Sequence, residues 1–204
     1  FRDVTQANMM AQQLAWQASH DPLTELFNRR EFEQRLAAAH AGAQTGDLQH
    51  VLCYLDLDQF KIINDTCGHV AGDALLRHIS SLLPTQLRKT DTLARLGGDE
   101  FGILLYSCPI EQAVEIANLL RQQIHDYRFV WQDKTFSIGV SIGLVEINST
   151  TPNVDSILSA ADAAYYVAKN KGRNRVHVFQ LDDTELAIQQ GEMQWVSRIP
   201  KALE

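Results

Sequence analysis

Two acids two residues apart close the apolar run HVLCYLDLD, Asp56 and Asp58. In a strand, side chains at that spacing leave by the same face. An acid ending a central apolar strand is costly unless it is paired or bound to a metal. Further along, RLGGDEFGILL sets Asp99 and Glu100 beside Gly97 and Gly98, between two runs of strand type. The glycines permit the positive φ values of a tight two-residue turn and leave the backbone open to a ligand. On its own the hairpin is also explained by a solvated turn, and Asp56 by a strand end. If the hairpin lies beside the Asp56 strand, three carboxylates meet at one sheet edge. Such hard oxygen ligands suit Mg²⁺, which also takes oxygens from a nucleotide's phosphates.

Other residues have the chemistry to read such a nucleotide. Asn64 and Asp73 frame the segment NDTCGHVAGD. An Asn both donates and accepts, and an Asp accepts two N–H donors side by side, a pattern complementary to the edge of guanine. The same two residues also read as helix caps around a glycine break. Lys61 follows the acidic strand, and KNKGRNR supplies Lys169, Lys171, Arg173 and Arg175 where a helix gives way to a strand. Basic residues there suit either a phosphate or the helix dipole. Backbone N–H groups after Asp58 are placed to cradle phosphate at a helix start. RKTD, upstream of the hairpin, carries Arg88 and Asp91, for which a surface ion pair is the simplest reading.

The elements that must position these groups follow from periodicity and breakers. Residues 1–19 read as a helix whose Val4, Ala7, Ala11, Leu14 and Ala18 form a seam, either docked on its own domain or serving as a dimerising stalk. Pro22 ends it, and Asn28 caps a helix over 29–40. AGAQTGD (41–47) reads as a surface loop, and residues 50–57 as a central strand. Residues 58–83 read as two helices split near CGHVAGD, TLARL and FGILLYS as a hairpin, and 110–126 as an amphipathic helix. KTFSIGVSIGLVEI (134–147) reads as one long strand in which Gly139 and Gly143 mark close backbone approach. A helix over 153–172 ends at Gly172, NRVHVF is a last strand, and an extra strand is expected near FVW. The order β-α-α-β-β-α-β predicts an α+β fold, a mainly antiparallel sheet covered by helices.

The 204 residues suffice for one domain with short additions at either end. A net charge of -7 argues against a nucleic-acid partner, which an exposed basic face would normally meet. Cys53, Cys67 and Cys108 fit a reducing compartment, and neither their spacing nor the scattered histidines suit zinc. No apolar run is long enough to span a bilayer. The expectation is a cytoplasmic piece of a longer chain, whose remainder could be membrane-attached.

The motifs DPLTELFNRR, DLDQFKIINDTCGHVAGD, RLGGDEF, SIGVS and AADAAYYVAKNKGRNRV occur in one order across residues 20–180. In these the chain resembles the GGDEF domain of bacterial diguanylate cyclases, which join two GTP into cyclic di-GMP and release two pyrophosphates. The resemblance implies a fold similar to the palm of nucleotidyl cyclases and polymerases. It implies that Asp56, Asp99 and Glu100 are catalytic carboxylates that hold Mg²⁺ or Mn²⁺, with the Leu57 carbonyl touching the metal. It assigns Asn64 and Asp73 to guanine, Phe60 and Lys61 to the triphosphate loop, and Lys169 and Arg173 to phosphates. Asp21 and Arg29 would tie the first helix to the domain. Arg88 and Asp91 match an inhibitory RxxD site for product, and catalysis would need a homodimer. FRDVT resembles the last strand of a PAS sensor followed by its signalling helix (residues 1–19). The segment 181–204, ending GEMQWVSRIPKALE, resembles the linker before an EAL phosphodiesterase domain. The alternative implied by that context is a silent GTP- or cyclic di-GMP-binding module that regulates an attached EAL domain.

Overall fold

The computed structural model describes residues 2–189. Helix α1 (Arg2–Ser19) stands apart, with residues 3–18 all exposed. Val4 and Leu14 of the expected seam are each 66% exposed, so the helix is not docked on its own domain. Its helical state from Arg2 replaces the strand expected in FRDVT. Helix α1 ends at Ser19, just before the turn that begins at Pro22, and the Asn28 side chain accepts from Glu31 N–H to start α2 (Arg29–Gln44). That helix runs through most of the segment expected as a loop. Ala39 and Ala43 are buried on the face that Phe32 and Leu36 began, and this packing outweighs the helix-weakening Gly42.

Strand β1 (His50–Asp58) is the centre of a five-stranded sheet. After it come α3 (Phe60–Cys67) and α4 (His69–Leu82), split at Gly68, whose φ of 87° no other residue type adopts readily. Next is the hairpin β2 (Thr92–Gly97) and β3 (Glu100–Leu105), then α5 (Ile110–Asp126). The expected long strand divides. β5 (Lys134–Ser137) pairs with β4 (Arg128–Trp131) in a separate ribbon, while β6 (Gly139–Ile147) joins the main sheet. Buried Ile138 sits at the break, where its side chain enters the core. Helix α6 (Val154–Asn170) starts at an Asn153–Ser156 capping box, and β7 (Val176–Val178) and α7 (Leu181–Gln189) follow. Residues 190–204, part of the expected linker, lie outside the described residues.

The strand order is β2-β3-β1-β6-β7, antiparallel except for the parallel β6–β7 pair. This is the expected α+β architecture. Alternate residues of β1 feed two cores. Val51, Cys53, Leu55 and Leu57 pack with α4 and α5, whereas Leu52 and Tyr54 pack with α2 and α6. Gly143 of β6 lets α6 lie directly on the sheet: a Cβ there would stand 2.5 Å from the Tyr165 backbone nitrogen. Sheet and helix are thereby locked in one position, which fixes Lys169 at the far end of α6 relative to β1.

Candidate active site

The site is built at the C-terminal end of β1. Antiparallel register sets Asp56 opposite Glu100 of β3 and opposite Ser141 of β6. The turn itself consists of Gly98 and Asp99, with Gly97 at φ 144° and Gly98 at φ 50°. Leu57 N–H donates to the Asp99 carbonyl at 3.2 Å, so the hairpin tip is tied to β1 beside Asp56. Burial first, and then the charges of Asp99, Glu100 and Asp58, push the Asp56 carboxyl up to about 8. Burial also raises Asp99, opposed by Lys169 and Arg95. Acids held so close in a partly dry cleft call for a cation.

Two buried tyrosines form the floor. The Tyr165 hydroxyl donates to Asp56 and the Tyr54 hydroxyl to Glu100, and burial raises both phenols. Their rings lie 5.2 Å apart. Glu100 is also paired with Arg29 at 3.4 Å, and Arg29 Nε donates to the Leu96 carbonyl at 2.9 Å. Asp21 pairs with Arg95 at 3.1 Å, and Arg95 Nε donates to the Gly98 carbonyl at 2.9 Å. Asp21 and Arg29 therefore tie the chain between α1 and the start of α2 to the hairpin, while α1, which they were expected to tie to the domain, stays exposed.

The expected convergence of three carboxylates is looser than a protein-only cage. Among the described residues, no three Asp, Glu, His or Cys side chains stand close enough to hold a metal by themselves. A Mg²⁺ ion that keeps waters and takes substrate phosphates needs only one or two carboxylates. Asp56 and Asp99 fit that requirement, with Glu100 held beside them.

The groups expected to read a nucleotide surround this edge. Gln59, at φ 63°, turns the chain from β1 into α3, and no side chain caps that helix, which begins at Phe60 and Lys61. Asn64 Oδ1 is buried and has no hydrogen-bond partner. It lies against Gly72 of α4, where a Cβ would stand 1.9 Å from it, next to half-buried Asp73. An orphaned acceptor of this kind is costly unless a ligand satisfies it. Lys169, in the last turn of α6, acts on Asp56, Asp58 and Asp99, and exposed Arg173 acts on Asp58. Arg88 and Asp91 are not at this edge. They pair at 3.3 Å, and the Arg88 guanidinium also donates to the Tyr106 carbonyl. Asp91 accepts the backbone N–H groups of Arg88 and Tyr106.

Sequence reasoning did not find Tyr54, Tyr165 or Ser141, because they are ordinary sheet and helix residues until strand register aligns them with the acids. The alternation Tyr54–Asp56 in β1 was the one signal available for Tyr54.

The chain belongs to the GGDEF family: the family described as "Diguanylate cyclase, GGDEF domain" matches residues 18–175. It is 44% identical to the probable diguanylate cyclase DgcE of Escherichia coli over 88% of this chain and 16% of that protein. It is 37% identical to the cyclic di-GMP phosphodiesterase PdeB of Shewanella oneidensis over 100% of this chain and 23% of that protein. The chain thus spans less than a quarter of these relatives. Among solved structures, the coiled coil and GGDEF domain of DgcB from Caulobacter crescentus superposes with a TM-score of 0.81 at 29% identity, covering 87% of this chain and 94% of that one. The GGDEF domain of TpbB from Pseudomonas aeruginosa gives 0.78 at 35% identity, covering 83% and 99%.

Proposed function

We propose that this domain is a diguanylate cyclase that condenses two GTP into cyclic di-GMP and two pyrophosphates. The observation that carries the reading is the buried, unpartnered Asn64 Oδ1 beside Asp73, on the helix that leaves β1 where Asp56 and Asp99 meet. Asn64 and Asp73 hold the guanine edge. The amides of Phe60 and Lys61 take the triphosphate, and Lys169 and Arg173 balance its charge. A divalent ion, Mg²⁺ or Mn²⁺, held by Asp56, Asp99, Glu100 and the Leu57 carbonyl would supply charge neutralisation at the phosphoryl group. Tyr165 and Tyr54 keep the carboxylates aimed, and Arg29 keeps Glu100 from turning away.

Each domain binds one GTP, so the active unit is a homodimer in which each 3′-hydroxyl attacks the other nucleotide's α-phosphorus in line. Mutual positioning supplies much of the rate. The exposed seam of α1 supports this use as a dimerising stalk for residues 20–180. Arg88 and Asp91 are read as the inhibitory site for cyclic di-GMP, with PAS and EAL domains linked at the two ends.

The test is incubation with GTP and Mg²⁺ or Mn²⁺, followed by chromatography. The parent should form cyclic di-GMP, and Asp99→Ala should form none while its circular dichroism is unchanged. Synthesis by the folded variant would refute the site. The similarity of this chain to part of a phosphodiesterase, PdeB, favours a second reading, a module that binds GTP and regulates an attached EAL domain. GTP binding by the parent without turnover would select it.

A further inference from the structure

The link from α6 to β7 has a strained backbone. Gly172, Arg173 and Asn174 follow one another at φ values of 115°, 58° and 44°. Glycine takes such values freely, but two successive side-chain-bearing residues hold them only where the surroundings over-determine the conformation. Asp58, the last residue of β1 and 8% exposed, provides that constraint. Its Oδ2 accepts Asn174 N–H at 2.8 Å, and its Oδ1 accepts the Ser141 hydroxyl at 2.7 Å. Gly139 makes the room: a Cβ there would stand 2.8 Å from Asp58 Oδ2 and 3.1 Å from Asn174 Cβ. Behind the turn, Asn174 Nδ2 lies 3.4 Å from His125 Nδ1 of α5.

The same turn carries Arg173 and follows directly on the end of α6, where Lys169 lies. Arg173 N–H donates to the Ala168 carbonyl at 3.2 Å, and Gly172 N–H to the Lys169 carbonyl at 3.4 Å. Arg173 is exposed, so the point from which its side chain leaves is set by its backbone rather than by packing. Asp56 faces the cleft, whereas both oxygens of Asp58 are occupied by protein donors.

We infer that Asp58 is a positioning residue: it clamps the 172–174 turn so that Arg173 faces the phosphates of GTP, without touching the nucleotide itself. This rests on the GTP reading above. The clamp spans 116 residues of sequence and joins the acidic strand to the basic loop. The two halves of the site, one attracting metal and the other phosphate, are thereby held in fixed relation.

The test is Asp58→Asn, which puts an N–H where one of the two donors now points. Hydrogen exchange of a peptide covering 171–176 should speed up markedly. The KM for GTP should rise about tenfold, the scale expected for loss of a charge-assisted hydrogen bond, with kcat within about threefold. In an Arg173→Ala background the same change should raise KM by less than about twofold, because the residue it positions is gone. A general packing defect would give full additivity, and that result, or unchanged exchange, overturns the inference. Gly139→Ala pushes into the same contact and should reproduce the KM rise if Asp58→Asn does not fold. Unchanged KM in folded Gly139→Ala also overturns it. If the parent forms no product, the cyclase reading fails by itself, and the exchange experiment still reports whether Asp58 holds the turn.

Discussion

Asp56→Asn should end synthesis and make the metal-free domain more stable. The carboxyl rises from 3.8 to about 8 because it is buried and faces Asp99, Glu100 and Asp58. The folded state therefore binds a proton that the unfolded state has lost, and stability falls as pH climbs from about 4 to about 8. At about 1.4 kcal/mol per pH unit, the ceiling on this penalty at pH 7 is on the order of 4 kcal/mol. Water in the partly open cleft and the pull of Lys169 reduce it, and the expected gain from Asn is about 2 kcal/mol near pH 8. Near pH 4 to 5 the gain should almost vanish. In a domain of this size, about 2 kcal/mol corresponds to a Tm rise of roughly 4–8 °C. The assay is thermal melting by circular dichroism in a chelator, near pH 5 and pH 8, for parent and variant. A variant no more stable than the parent at pH 8, or equally stabilised at both pH values, would refute the reasoning. Adding Mg²⁺ or Mn²⁺ should stabilise the parent by mass action and shrink the difference.

Gly143→Ala sets a Cβ 2.5 Å from the Tyr165 backbone nitrogen and 2.9 Å from the Ala161 carbonyl, neither of which can yield. A loss of about 3 kcal/mol is expected, and an unchanged melting temperature would exclude the backbone contact. Asn64→Ala removes an orphaned acceptor, so it should leave the melting temperature equal or higher while raising the KM for GTP about tenfold. An unchanged KM would remove Asn64 from the guanine site. Arg88→Ala should weaken cyclic di-GMP binding in calorimetry and raise accumulated product. Equal affinity would end the inhibitory reading of the Arg88–Asp91 pair.

Local signals carried most of the fold. The apolar run at 50–58, the glycines of the hairpin and the stripe Ala113–Ala117–Leu120–Ile124 each name their element without help from elsewhere. Where reading and structure part, a tertiary contact decides. Ala39 and Ala43 extend α2 past a glycine because a core lies beneath them. Burial of Ile138 divides what alternation alone presents as a single strand. The acids, amide and cations of the site were legible because their types are unusual for their places. Their supports were not. Arg29–Glu100 and Ser141–Asp58 join residues 71 and 83 apart in sequence, and nothing local at either end announces the partner.

The margins of the sheet bear on how copies of this domain meet. Beyond β2, Phe27 forms a parallel bridge to Ala94, and Arg95 N–H donates to the Phe27 carbonyl at 2.9 Å. On the other side the sheet ends in β7, which is 3 residues long. One margin is partly covered and the other too short to template another strand, so growth by lateral strand addition is discouraged at both. The proposed homodimer would then form through the cleft or α1, and such an encounter would leave every strand of the sheet paired.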